Sequence, residues 1–535
     1  MKRPAVLALL VGAIVASIPP EVPAQASPGA PFELEELTIA ELQERQESGK
    51  LTARAMVEAY LSRIESIDRQ GLDLHSVIEL NPDVREIADR LDDERKNGRV
   101  RGPLHGIPIL IKDNIATADH MTTTAGSLAL EGSKPPKNAF IVARLREAGA
   151  VILGKTNLSE WANFRSRHSV SGWSARGGQT KNPYALDRNP SGSSSGSAVA
   201  VAANLCAAAV GTETDGSIVS PASNNALVGI KPTLGLLSRA GIVPIAHSQD
   251  TPGPIARTVA DAAIVLSAMV GRDQDDSATV DSERKGLRDY TRFLDASGLK
   301  GARIGVVRNR LFGYSAAADA IANRAIADMK RQGADIIDPA PLSTLGKFDD
   351  AELEVLLYEF KTDLNKYLGW LGPAAPVHSL KDIIEFNEAH RESELQYFGQ
   401  DLMVSAQKKG PLTSSAYAAA LQKARRMARA EGIDAVMRRY RLDALVAPTG
   451  GPAWLTDFVN GDGGTAAAAS PSSVAAVAGY PHITVPAGYF RRLPIGISFI
   501  GQAWSEPTLI KLAYAYEQAT RHRRPPTFSA SAILQ

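Results

Sequence analysis

The chain has 535 residues, 44% hydrophobic and 22% charged, an ordinary globular composition with ample material for a core. Fifty-nine lysines and arginines against 58 acidic residues leave a formal charge of +1, with no long basic run, which argues against nucleic acid or an anionic membrane as partner. The one cysteine, Cys206, excludes an intramolecular disulfide, a cysteine-based zinc site and lipid attachment near the N-terminus, and reads as a small buried hydrophobe.

In chain order, Lys2 and Arg3 precede an apolar run from Ala5 to Ile18, then Pro19-Pro20 and the small-residue site Ala24-Gln25-Ala26. This is the pattern of an export signal cut near Ala26, and the run is several residues too short for a membrane anchor. It predicts a periplasmic or secreted protein without stable membrane association, its mature part spanning 27–535. Ser27 to Pro31 reads as a leader, and Ile39 to Ile67 as two amphipathic helices with Thr52 as a cap. From Leu104 short apolar runs alternate with helices: Ile107 to Ile111, a helix from Ala139 to Ala148 closed by Gly149, then Val151 to Leu153. Similar runs recur at 207–211, 227–230, 304–307, 444–447, 483–486 and 495–500, with helices expected at 259–270, 322–332, 416–429 and 508–521. Such alternation predicts an α/β fold whose sheet is covered on both faces. No linker divides the chain, so one large domain is expected, with helix-bearing insertions at 276–299 and 348–411 and a glycine- and alanine-rich surface loop or lid at 461–469.

The stretch "GSSSGSAVAVAANLCAAAVGTETDGSI", residues 192–218, joins two serine clusters through an alanine-rich run whose one polar side chain is Asn204. A helix from Ser195 to Asn204 advances roughly 15 Å and a strand from Ala207 to Gly211 returns roughly 17 Å, so the clusters can meet. Beyond the strand, Gly211 to Ser217 suits a tight turn that aims backbone N–H groups at one point, where they can hold an oxyanion. Ser217 is then a candidate nucleophile in need of a base. His105, His168, His247 and His482 stand near glycine or proline, settings that favour structural roles. A lysine can substitute if burial lowers its pKa from about 10.4 toward 7, roughly 4 kcal/mol. Lys112, Lys155 and Lys231 each follow an apolar strand, at the end where ligands of α/β sheets gather, though any one taken singly is expected to reach solvent.

"GPLHGIPILIKDNI", "GGQTKNPYALDRNPSGSSSGSAVAVAA" and "GTETDGSIVSPASNNALVGIKPTLGLLSRAGIVPIAHSQDTPGPIARTVADAA" resemble the amidase signature family, in order and with its 24-residue separation of Ser193 and Ser217. Within it the chain is most similar to bacterial peptide amidases, which hydrolyse the C-terminal carboxamide of peptides. The resemblance implies an α/β/α sandwich around a large mixed sheet, with a catalytic core at about 104–260. It places the catalytic lysine on Lys112, the bridging serine, beside a cis peptide, on Ser193, and the nucleophile on Ser217. The oxyanion hole falls on the backbone N–H groups around Thr214, Asp215 and Gly216. Neutral Lys112 would deprotonate Ser193 and Ser193 would deprotonate Ser217, which attacks the carboxamide and releases ammonia. This chemistry needs neither metal nor cofactor, its partner is a small-molecule or short-peptide amide, and a monomer is expected.

The chain departs from the commoner family pattern at Ser191, Ser195 and Asp215, where glycines are usual, and at Val219, where an arginine is usual. Glu213, the acidic partner of that arginine, must find another donor or be exposed. Members specific for small carboxylated amides carry an arginine one position later, at Ser220 here, so a neutral carboxamide fits this chain better. A broader aryl or aliphatic amidase is the alternative within the family. An α/β-hydrolase elbow at Gly192-Ser-Ser194-Ser-Gly196 requires a buried strand before it, where this chain has "KNPYALDRNPS". The export signal argues against the amidase-like subunit of a tRNA-dependent amidotransferase, and retention of Lys112, Ser193 and Ser217 against a non-catalytic amide-binding protein. Trp161, Phe164 and Trp173 fit equally as pocket walls, with Arg176 contacting substrate, or as core.

Overall fold

The computed structural model describes residues 32–462 and 470–532. The export signal and most of the 461–469 loop lie outside the described residues. The apolar runs form strands β1 (Val77–Leu80), β2 (Pro108–Lys112), β3 (Val151–Thr156), a short pair β4 (Trp173–Ser174) and β5 (Gly178–Gln179), β6 (Ala208–Glu213), β7 (Val228–Lys231) and β8 (Thr251–Ala256). They continue as β9 (Arg303–Val306), β10 (Asp335–Ile337), β11 (Ala444–Pro448), β12 (His482–Phe490) and β13 (Leu493–Ile500). Eleven of these make one mixed sheet in the order β1-β3-β2-β6-β8-β7-β12-β13-β11-β9-β10. Most of its strands are buried along their whole length, as expected where helices cover both faces. Helices Val259–Met269, Ala316–Arg331 and Glu506–Thr520 pack together on the sheet, and Ser195–Ala202 and Val219–Asn224 form a second set, giving the expected α/β/α sandwich.

The N-terminal helices form as read, Ile39–Glu47 and Ala53–Arg63, and Thr52 caps the second by accepting from the Ala55 N–H. The helix Phe140–Glu147 stops before Gly149, at φ +84°. Among the described residues no helix is long and apolar enough to cross a membrane.

Strand β8 was not legible. Its sequence, Thr251-Pro-Gly-Pro254-Ile-Ala256, reads as a turn, yet it lies mid-sheet between β6 and β7. Its prolines stand beyond Ile255, where the ladder to β7 has already ended. Because Thr251 and Pro252 pair with Glu213 and Thr212, β6 continues past Gly211 and the tight turn is confined to 214–217. The helix from Ser195 ends at Ala202, two residues early, and Asn204 at φ +59° turns the chain into β6. Its side chain is structural, exchanging two 2.9 Å hydrogen bonds with Glu36.

The returning helix rides directly over β6. A Cβ on Gly211 would lie 2.7 Å from Ser194 Oγ, so only glycine admits this approach. Gly211→Ala is therefore expected to cost about 1–3 kcal/mol in chemical unfolding, and to lower activity by displacing the serine loop.

Candidate active site

β2 runs parallel to β3 and β6, and β8 turns the direction twice so that β7 also points the same way. Their carboxyl ends bring Lys112, Lys155, Glu213 and Lys231 to one edge of the sheet. None of the three lysines reaches solvent; each is completely buried under the loops that follow the strands. Lys155 Nζ donates to the Ile115 carbonyl at 2.7 Å and Thr123 Oγ1 at 2.8 Å, and Lys231 Nζ to the Pro232 carbonyl at 3.1 Å. Burial brings both amines down to about 8.

Lys112 is pushed further, to about 7, by burial that the fields of Asp250 and Glu213 only partly offset. Its Nζ lies 2.8 Å from Ser193 Oγ, 2.9 Å from Thr212 Oγ1 and 3.3 Å from the Thr212 carbonyl. A neutral amine has two N–H donors and one lone pair. The two Thr212 oxygens accept the donors, and the lone pair is left for the Ser193 hydroxyl. Asn114 Nδ2 also donates to Thr212 Oγ1, at 3.0 Å, and holds that hydroxyl in place.

Ser193 follows a cis peptide after Gly192, and its carbonyl accepts from the Ser159 N–H at 3.1 Å. The next N–H, of Ser194, donates to the Ser217 carbonyl at 3.2 Å, so the two serine clusters meet. Ser194 itself is fully buried. Its Oγ donates to the Thr212 carbonyl at 3.0 Å and accepts from the Thr212 N–H at 3.2 Å, a bridge between helix and strand. The residues before it form turns, without the strand that a hydrolase elbow requires.

Glu213 is buried and has found its donors in the backbone. Its Oε2 accepts from the N–H groups of Ile218 at 2.8 Å and Val219 at 3.1 Å, with Lys231 as countercharge. These bonds close the loop over Thr214, Asp215 and Gly216. Gly216 sits at φ +78°, a region costly for any side chain, and a Cβ there would also come within 3.1 Å of Ser220 Oγ and Ser472 Oγ. Among the described residues the N–H groups of Thr214, Asp215 and Gly216, and that of Ser217 after them, have no acceptor. Successive free N–H groups on such a turn form an anion-binding concavity.

Ser217 opens into a cleft of about 300 Å³. Phe164, Ile245, Leu356 and Trp454 supply apolar wall, and among the described residues Asp215 and Asp462 are the only acidic or basic ones lining it. Ser473 Oγ donates to Asp215 at 2.7 Å; Asp462 accepts from the Ser171 N–H at 2.8 Å and Trp454 Nε1 at 3.0 Å. Burial raises both carboxyl pKa values. Of the aromatic stretch, only Phe164 reaches the cleft, packed edge-on against Phe360 at 5.0 Å. Trp161 is core, and Trp173 packs on Phe398 beneath Arg165. Arg176 pairs with Glu79 at 2.7 Å and Asp113 at 3.6 Å and does not line the cleft. The cleft residues of the C-terminal third, Trp454 and Ser470 to Ser473 among them, carried no sequence signal. Trp454 and Ser470 stand in loops and Ser472 and Ser473 open the helix Ser472–Ala478, elements that only the fold brings here.

Among the described residues one group has the spacing to close on a metal ion, His247, Glu359 and Asp363. It is already an ion-pair cluster, with His247 Nδ1 2.8 Å from Asp363 and Glu359 accepting from Tyr417 OH at 2.6 Å. None of the three lines the cleft.

The amidase family model matches residues 55–510. A probable amidase of Arabidopsis thaliana is 45% identical over 509 residues, covering 93% of each chain. The native peptide amidase of Stenotrophomonas maltophilia superposes with a TM-score of 0.89 at 53% identity, over 93% of this chain and all of that one. A peptide amidase in complex with the competitive inhibitor chymostatin gives the same score and identity over 92% of this chain.

A lysine neutral in the fold and protonated when unfolded destabilises the fold most below pH 7, and the loss is relieved as pH rises toward 10. Native stability should therefore gain about 2 kcal/mol more between pH 7 and 9 than that of Lys112→Met. Chemical unfolding at both pH values measures the difference; an identical gain would mean that the amine is charged in the fold.

Proposed function

The chain belongs to the amidase signature family and is an amide-hydrolysing enzyme, and from this we propose that it cleaves the C-terminal carboxamide of peptides through Lys112, Ser193 and Ser217. The observation that carries the reading is the buried amine of Lys112, held at a pKa of about 7 and 2.8 Å from the Ser193 hydroxyl. In the proposed route the Lys112 lone pair accepts the Ser193 proton while Ser193 Oγ accepts that of Ser217. Ser217 Oγ bonds to the carboxamide carbon, and its electron pair moves onto the oxygen, which the N–H groups of the 214–217 loop receive. Collapse expels the nitrogen, which takes the proton back from Lys112 through Ser193 and leaves as ammonia. Water then enters by the same relay, adds to the acyl-enzyme, and frees Ser217 and a peptide carboxylate.

The choice of a peptide carboxamide draws on the 53% identity to peptide amidases and on the charge of the cleft. Val219 and Ser220 leave no cation near the nucleophile, and Asp215 and Asp462 disfavour a substrate carboxylate. Export to the periplasm or medium is part of the same proposal, and N-terminal sequencing of exported protein is expected to begin near Ser27.

Ser217→Ala is expected to lower kcat/KM on a peptide amide at least about a thousandfold, while Ser194→Ala remains an active enzyme. The reverse pattern would transfer the nucleophile to Ser194. Since only neutral Lys112 serves as base, kcat/KM should rise with pH through about 7. Ser220→Arg would place a cation in the cleft, and the peptide carboxylate product should then inhibit at concentrations at least about tenfold lower. Unchanged product inhibition would show that the carboxylate binds elsewhere.

A further inference from the structure

We propose that Gln249, buttressed by Glu352, is a positioning residue that sets the direction of the Asp215 N–H in the oxyanion hole. The inference rests on the reading of Ser217 as nucleophile and of the 214–217 loop as the oxyanion site. Gln249 Nε2 donates to the Thr214 carbonyl at 3.3 Å and to Glu352 Oε1 at 2.8 Å, so both hydrogens of the amide are used. Gln249 is 3% exposed and Glu352 7%, so both bonds lie away from bulk solvent. A trans peptide is planar, with its C=O and N–H pointing in opposite directions. Fixing the Thr214 carbonyl therefore fixes the Asp215 N–H. Gln249 does not line the cleft, so the carbonyl is drawn away from it and the N–H turned the other way.

The neighbouring residue holds the other end of Thr214. Its Oγ1 donates to Asp250 Oδ1 at 2.6 Å, and Asp250 Oδ2 accepts from the N–H groups of Ile245 at 2.8 Å and Ala246 at 2.9 Å. Two consecutive side chains thus hold one residue by its backbone and its side chain.

Their loop is in turn anchored on the helix Asp349–Leu371, which begins the insertion at 348–411. Glu352, Glu359 and Asp363 lie on one face of that helix, two turns and then one turn apart. They take up Gln249 Nε2, the Ser248 N–H at 2.9 Å and the His247 N–H at 2.9 Å in order along the loop. Phe360, Leu364 and Leu368 pack the same helix onto Val243, Ile245 and Ala246. An insertion that contributes no member of the triad thereby reaches the reacting centre through one amide. Glu352, buried beside Asp215, is held well above the usual carboxylate range, so a neutral acceptor is all that Gln249 requires of it.

The test compares Gln249→Met, Glu352→Leu, Glu352→Gln and Ser217→Ala in the full chain. It reads kcat and KM on a peptide amide, inhibition by a peptide aldehyde that forms a tetrahedral serine adduct, and the melting temperature. Gln249→Met is expected to lower kcat about 30- to 100-fold with KM within about twofold, and aldehyde affinity by a similar factor. Glu352→Leu should show the same kcat-only pattern, and Glu352→Gln should stay within about threefold of the native enzyme. Full kcat in Gln249→Met, or a Glu352→Gln enzyme as impaired as Glu352→Leu, would overturn the positioning role. If Gln249→Met does not fold, the two Glu352 variants decide alone. Activity retained by Ser217→Ala would instead overturn the catalytic assignment beneath it.

Discussion

The site depends on a lysine buried so deeply that its amine loses its proton near pH 7. Lys112 stands at the end of a central strand, wholly removed from water, with no carboxylate in hydrogen-bonding contact. A charged ammonium there would be severely under-solvated, and the amine gives up its proton instead. Geometry completes the effect. Thr212 offers two acceptors and no competing charge, which orients the lone pair at Ser193. A carboxylate in Thr212's place would restore the charge and with it remove the base of the proposed mechanism. Lys155 and Lys231 are as deeply buried but reach only about 8, burial being opposed by nearby carboxylates, Asp113 first for the one and Glu213 for the other, and neither contacts a serine among the described residues.

The second constraint is the loop opposite. Its amides must point together into the cleft, and the structure holds them from outside. Glu213 ties the loop's far end through two backbone N–H groups, and Gly216 admits the left-handed turn between. In the absence of the family's usual arginine at 219 the backbone supplies the donors to Oε2 of Glu213 and Lys231, two strands over, the countercharge, while Oε1 stays buried without a hydrogen-bond partner among the described residues. This is why the departure at Val219 is compatible with an intact loop.

The sequence carried the alternation of strands and helices, the return of the serine helix along β6 and the meeting of the two serine clusters, because these are local patterns or follow from element lengths; Lys112 was set apart from Lys155 and Lys231 by the family resemblance alone. It did not carry β8, whose prolines and glycine imitate a turn and are tolerated only where the β7 ladder ends. That omission also hid the true end of β6, since Thr212 and Glu213 are strand residues only by virtue of their β8 partners. Nor was the burial of the three lysines legible, because it depends on loops such as 113–124 folding back over the strand ends. The aromatic stretch shows the same limit. Trp161, Phe164 and Trp173 look alike in sequence, and Trp161 and Phe164 even share one core cluster with Phe360, yet of the three only Phe164 reaches the cleft.

The cleft's acidity and its use of backbone donors are two sides of one requirement. Amide hydrolysis turns a neutral group into an anion twice, first transiently at the tetrahedral carbon and finally as the product carboxylate. A cation beside Ser217 would favour both, and so would bind product as it stabilised the transition state. Fixed N–H groups aimed at one oxygen position favour the first alone, since they are complementary to the tetrahedral geometry and not to a departing carboxylate. Asp215 and Asp462, lining the same space, then disfavour the second. In the proposed mechanism, therefore, the missing arginines at 219 and 220 do more than admit a neutral substrate; they let the enzyme separate stabilisation of the oxyanion from retention of the acid it makes.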